Sequence, residues 1–148
     1  METYKNTTDQ IILKRIKSEF PKAKITNSLD AATFARQFYH DDLTLYESFF
    51  LILLNNANNT TGFVKISQGG VTGTVVDPRI VAKYAIETLS KSVILVHNHP
   101  SGTLKPSEAD KQITEKIKKG LRLFDCGVLD HVILTENSFF SFADKGLM

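Results

Sequence analysis

The sequence predicts an α/β fold, a single three-layer domain with a mixed β-sheet flanked by helices. Three observations lead there. Apolar residues recur at helical spacing in several stretches, short continuous apolar runs of strand length lie between them, and Gly, Pro, Asn and Asp clusters separate the two kinds of segment. At 148 residues, 42% of them hydrophobic and ten of them Phe, the chain is long enough for one domain with a substantial core.

The elements follow in order. Ile11, Ile12, Ile16 and Phe20 share one helical face and Pro21 closes the segment, so a first helix is expected there, within an N-terminal helical extension spanning 1–27. The main domain is expected over 28–148. It opens with a helix that starts at the cap Ser28, runs to about Tyr39 and turns Ala31, Ala32, Ala35 and Phe38 inward. Phe49 to Leu54 is a continuous apolar run, the signature of a strand buried on both faces, and the Asn55–Asn59 turn leads to a second strand around Phe63 to Ser67. Gly69, Gly70 and Gly73, assigned to turns or a bulge, punctuate a third extended piece, Val71 to Val76. Asp77 as cap and Pro78 at the first helical position begin a helix carrying Val81, Ala82, Ala85, Ile86 and Leu89. Val93 to Val96 reads as a buried strand. Ser107 opens another helix, with Ile113 and Ile117 inward and Gly120 as its expected stop. Val128 to Leu134 then pairs with Ser138 to Phe142 across Glu136-Asn137, giving the order αα-βββ-α-β-α-ββ.

Composition narrows function. The net charge is only +2, so no global basic footprint marks a dedicated nucleic-acid binder. Cys126 is the single cysteine, which excludes an intramolecular disulfide and a Cys-rich zinc finger, and leaves His and carboxylates as metal ligands. Met1 to Gln10 is polar without a signal-peptide pattern, and the longest apolar run, Phe49 to Leu54, falls far short of the roughly 20 residues of a membrane helix. A soluble, cytoplasmic protein with no membrane association is expected.

Two of the four histidines, His97 and His99, stand at the carboxyl end of the Val93–Val96 strand, and residues two apart in a strand face the same way. Asp110 follows in the first turn of the helix opened by Ser107, a natural spatial neighbour of the strand end. Two imidazoles and one carboxylate leave a fourth tetrahedral position open, as hydrolytic zinc sites do. Plainer readings stand beside this one. Two histidines at a strand end can simply bond loop carbonyls, and Ser107-x-x-Asp110 is itself a capping-box signature, in which Asp110 would reach back to the Ser107 amide instead of ligating a metal.

The string His97-Asn98-His99-Pro100, six intervening residues, Ser107, two more and Asp110 resembles the metal-binding motif of the JAB/MPN (JAMM) metalloprotease family. Val96 to Gly102, with Pro106-Ser107 and Leu129-Asp130-His131, is similar to the RadC branch in particular, over about Ser28 to Asp144. The resemblance implies a cytidine-deaminase-like fold for 28–148, with Zn2+ held by His97, His99 and Asp110. It also implies a catalytic Glu, matched here by Glu47, and a serine supporting the oxyanion, matched by Ser107. The implied activity is zinc-dependent cleavage of a peptide or isopeptide bond, with Glu47 moving protons and Ser107 donating to the developing oxyanion. The alternative is a DNA-associated RadC-type accessory protein of DNA repair or mobile-element biology, with a structural or vestigial metal site.

The remaining candidates have simpler roles beside sharper ones. Glu47 reads otherwise as a solvated carboxylate at a strand edge, and Glu108 and Glu87, the fallback bases, as helix-surface charges. His131 is either a partner to the metal ligands or a satisfied core histidine. His40 is expected as a charge at a helix end, Cys126 as a small buried hydrophobe, and Lys116, Lys118 and Lys119 as a solvated face. The substrate, a protein or peptide, is not identified. The Ser138–Phe142 strand offers an edge to a substrate strand or to a second protomer.

Overall fold

The computed structural model describes residues 6–70 and 74–148. Three helices, α1 (Ser28–Arg36), α2 (Pro78–Glu87) and α3 (Glu108–Arg122), surround five strands, β1 (Ser48–Leu54), β2 (Thr60–Gln68), β3 (Ser92–Asn98), β4 (Gly127–Leu134) and β5 (Phe139–Ser141). The sheet runs β2-β1-β3-β4-β5, antiparallel throughout except for the parallel β3–β4 pair. That pair is joined through α3, a βαβ unit inside an otherwise antiparallel sheet. The α/β class with a mixed sheet is as the patterning predicts.

Side-chain parity divides the core into two layers. Phe50, Ile52 and Leu54 of β1 and Ile94 and Val96 of β3 meet α1, where Ala31, Ala32, Phe34, Ala35 and Phe38 are buried. Phe49, Leu51, Leu53, Val93 and Leu95 meet Val81 and Ala85 of α2 and Ile117 and Leu121 of α3 on the opposite face. Both central strands, β1 and β3, are buried at every position, which is why their sequences are continuous apolar runs rather than alternating ones.

Parity also aims the polar residues at the end of β3. His97, odd-numbered like Val93 and Leu95, faces the α3 layer, whereas Asn98 faces the α1 layer. β4 needs a correction to do the same. Val93 pairs with Val128 but Ile94 with Asp130, so Leu129 is an extra residue in β4, and this bulge resets parity so that Val128 and His131 both face α3.

Five expectations are corrected. The first helix does not form: residues 6–27 contain no helix, and Ile11 and Ile16 are 86% and 85% exposed. A short helix in water depends on a packed apolar face, and here only Phe20 finds one, against Phe38 and Phe63 at ring separations of 5.9 and 5.4 Å. In the expected third strand, residues 71–73, with Gly73 among them, lie outside the described residues, and 74–76 are not in a strand. Gly120 does not stop α3, which continues to Arg122, because burying Leu121 outweighs a glycine penalty of about 1 kcal/mol. His40 does not end a helix; it precedes the short 3-10 turn Asp41–Thr44. The helix expected from a Ser28 cap to about Tyr39 is instead capped by Asn27 and ends at Arg36, whereas Asp77 and Ser107 cap α2 and α3 as expected. No helix among the described residues is long and apolar enough to cross a membrane.

Candidate metal centre

The site forms where β3 ends and α3 begins. His97 is buried within β3, and the His99 amide extends the sheet by one more bond, to the Leu134 carbonyl at 2.9 Å. The chain then turns through Gly102, whose φ of +86° is a left-handed conformation that suits glycine, with its amide donating to the His99 carbonyl at 3.0 Å. Ser107 caps α3. Its Oγ accepts the Asp110 amide at 3.0 Å, and its own amide donates to Asp110 Oδ2 at 2.8 Å.

The capping box forms, as the plainer reading expects, and it also holds the Asp110 carboxylate beside the two histidines. While Oδ2 takes the Ser107 amide, Oδ1 stands 3.3 Å from His97 Nε2 and Oδ2 stands 3.3 Å from His99 Nε2. The two Nε2 atoms are 3.0 Å apart. A tetrahedral ion with arms of about 2.0–2.1 Å has ligand–ligand edges of about 3.4 Å. The separations here are of that order, with His97 facing one Asp110 oxygen, Oδ1, and His99 the other, Oδ2; taking one ligand atom per residue, all three lie within 4.8 Å of one another. His97, His99 and Asp110 are the one group of three or more such ligands that converge among the described residues.

Each imidazole is oriented from behind. His99 Nδ1 lies 2.7 Å from the Thr103 carbonyl, which can only accept, so Nδ1 carries the proton and the Nε2 of neutral His99 presents a lone pair to the triangle. His97 Nδ1 lies 2.7 Å from His131 Nε2, and the His97 ring stacks on Phe49 at 5.9 Å and 11°. Two imidazole nitrogens and a carboxylate thus converge on one small volume, as the ligands of a single cation do.

The charges respond accordingly. Burial works against ionising Asp110, but the His97 and His99 imidazoles facing it override that effect and hold the carboxyl well below the usual range. Burial likewise works against charging His99, and hydrogen bonding to Asp110 and the Thr103 carbonyl outweighs it and raises the imidazole pKa. His131, wholly enclosed, is pushed well below the ordinary histidine value by burial first and by His97 second.

Glu47 stands outside the triangle. It immediately precedes β1, is half-buried, and its carbonyl accepts the Gly69 amide at 2.9 Å. Phe49 pairs with His97, and continuing that antiparallel register by two residues sets Glu47 across from His99, whose imidazole its charge helps to raise. Glu108 is exposed beside Lys111, and Glu87 is exposed in the last turn of α2. Burial also pushes the Cys126 thiol up, as suits a small hydrophobe. Lys116 and Lys119 are exposed, the latter 3.6 Å from Glu115, and Lys118 is half-buried.

Three contributing residues have no role assigned from the sequence, although Asn98 and Asp130 stand within the strings that carry the resemblance. Asn98, Thr114 and Asp130 are buried and polar. Asp130 accepts from Ser141 Oγ at 2.6 Å and from the amides of His131 and Ala143 at 2.7 and 3.0 Å, while burial, the largest effect, raises its pKa. Thr114 stands one helical turn beyond Asp110, the spacing that could have singled it out.

Comparison with known proteins finds matches over most of the chain. Residues 25–147 match the family model described as RadC-like JAB domain. A UPF0758 protein of Flavobacterium johnsoniae is 44% identical over 84% of this chain and 53% of its own length. One from Saccharophagus degradans is 40% identical over 80% of this chain and 54% of its own, and one from Porphyromonas gingivalis 39% over 69% and 45%. The chain spans about half the length of the curated relatives it matches.

Proposed function

Because the chain belongs to the RadC-like JAB domain family, we propose that it is a zinc-dependent hydrolase that cleaves an amide bond, peptide or isopeptide. The observation that carries this reading is the convergence of His97 Nε2, His99 Nε2 and the Asp110 carboxylate, one ligand atom from each lying within 4.8 Å of the others, a set that leaves a fourth tetrahedral position free. The donor set favours zinc, since magnesium and calcium prefer six or more oxygen ligands.

Zinc bound there supplies Lewis acidity, which lowers the pKa of a bound water to about 7 and polarises a carbonyl. The protein's own groups do the rest. Glu47, across from His99, accepts the proton of the attacking water and returns it to the leaving nitrogen. Ser107 Oγ already accepts the Asp110 amide through one lone pair, so its hydroxyl proton remains free to donate to the developing oxyanion.

The test is turnover of a fluorogenic peptide and isopeptide library by zinc-loaded protein, wild type against Glu47→Gln. The expected result is cleavage by wild type and none by a variant that keeps its metal. Equal turnover by Glu47→Gln removes Glu47 from the mechanism, and no cleavage anywhere in the library by fully loaded wild type contradicts the hydrolase reading.

A further inference from the structure

One bond sets the proton order along a buried chain of side chains. Thr114 Oγ1 lies 2.6 Å from the backbone carbonyl of Asp110 and 2.5 Å from His131 Nδ1. A carbonyl oxygen only accepts, so the threonine proton goes to Asp110, and the hydroxyl must in turn accept from His131 Nδ1. His131 Nδ1 therefore carries a proton. The His131 ring is enclosed, stacked on Phe142 at 4.6 Å and edge-on to Phe49 at 5.6 Å, with no carboxylate hydrogen-bonded to it, so a second proton on that ring would place an unpaired charge among aromatic rings. His131 Nε2 is thus bare and accepts from His97 Nδ1 at 2.7 Å. His97 in turn keeps its proton on Nδ1 and its lone pair on Nε2, the atom that faces Asp110 and His99.

We propose that Thr114 is a positioning residue that acts through His131 to hold the His97 proton on Nδ1, keeping Nε2 open to a metal ion. The consequence for the metal rests on the zinc-site reading above, whereas the proton order does not. The two ligands are secured differently. His99 is locked by a backbone carbonyl that no side-chain substitution removes. His97 depends on two side chains, and the chain closes on itself, because Asp110 supplies both the carboxylate in front of His97 and the carbonyl behind Thr114. Without the hydroxyl, His131 has no acceptor for an Nδ1 proton. The reversed order then becomes available, with His131 Nε2 donating to His97 Nδ1 and the His97 proton moved to Nε2, inside the triangle.

The experiment uses two readouts on Thr114→Val, which keeps the shape and removes the hydroxyl, and on Thr114→Ser, which restores it. Long-range 1H–15N spectra of the metal-free protein assign the imidazole tautomers, and competition with a chelator gives zinc affinity. Wild type and Thr114→Ser should show His97 and His131 protonated at Nδ1. Thr114→Val, with an otherwise native amide spectrum, should show His97 shifted toward the Nε2 form and a zinc affinity about 10–100-fold weaker. A Thr114→Val protein that keeps the Nδ1 form and wild-type affinity overturns the proposal. Should wild type bind no zinc, the metal reading fails by itself, and the tautomers decide the proton order: an unchanged Nδ1 form in Thr114→Val still overturns it.

Discussion

Asn98 Oδ1 accepts the backbone amide of Ser48 at 2.8 Å, while Asn98 Nδ2 donates to the carbonyls of Tyr46 and Leu43 at 2.9 and 2.8 Å. The residue between the two histidines thus grips the backbone on both sides of Glu47. Strand parity makes this possible: His97 and His99 face α3, and Asn98, pointing the other way, reaches the turn that carries Glu47. One strand end orients both the proposed metal ligands and the proposed base.

Asn98→Ala should therefore affect stability and catalysis together while sparing the metal. It strips three hydrogen bonds from a fully buried site and strands their partners, a loss of about 2–4 kcal/mol, to be read from urea denaturation. Zinc affinity should stay within a few-fold of wild type and turnover should fall sharply. A variant that loses stability but keeps full turnover would show that Glu47 needs no such grip.

Ser107 carries a cap and a proposed catalytic proton, and Ser107→Ala should reveal both. Loss of the cap should cost about 1 kcal/mol. Loss of the oxyanion donor should lower turnover about 10²–10³-fold with zinc retained. A destabilised variant with undiminished turnover would leave Ser107 as a cap alone.

The raised His99 pKa should make the proposed zinc binding depend on pH. In the metal-free protein the His99–Asp110 interaction contributes stability that is fully present below the unfolded histidine value of 6.5 and is lost as pH rises through the raised folded value. Zinc requires the neutral imidazole and displaces that proton. The melting-temperature gap between zinc-bound and metal-free protein should accordingly widen from pH 5.5 to pH 7.5. His131 is neutral in both forms and cancels from the difference. A gap that stays constant or narrows would contradict the ligand role of His99.

What could be read from the sequence was local. His97 and His99 sit two apart at the end of an apolar run, and Asp110 falls three residues after a capping serine; both patterns are set by the period of their own element. The aids that arrive from elsewhere left no such mark. Thr114 and His131 lie 17 residues apart and meet only because Leu129 bulges β4, and Asn98 finds its partners some fifty residues upstream. The same distinction explains the absent first helix. Ile11, Ile12 and Ile16 have helical spacing, but spacing records what a segment can bury, not whether a surface exists to receive it.

The most direct test of the account is zinc titration of the metal-free protein, wild type beside His97→Ala, His99→Ala and Asp110→Ala. One equivalent should bind tightly to wild type, with each substitution abolishing or severely weakening it. Zinc binding of wild-type stoichiometry and affinity by the His97→Ala and Asp110→Ala proteins, or no binding by wild type, would contradict it.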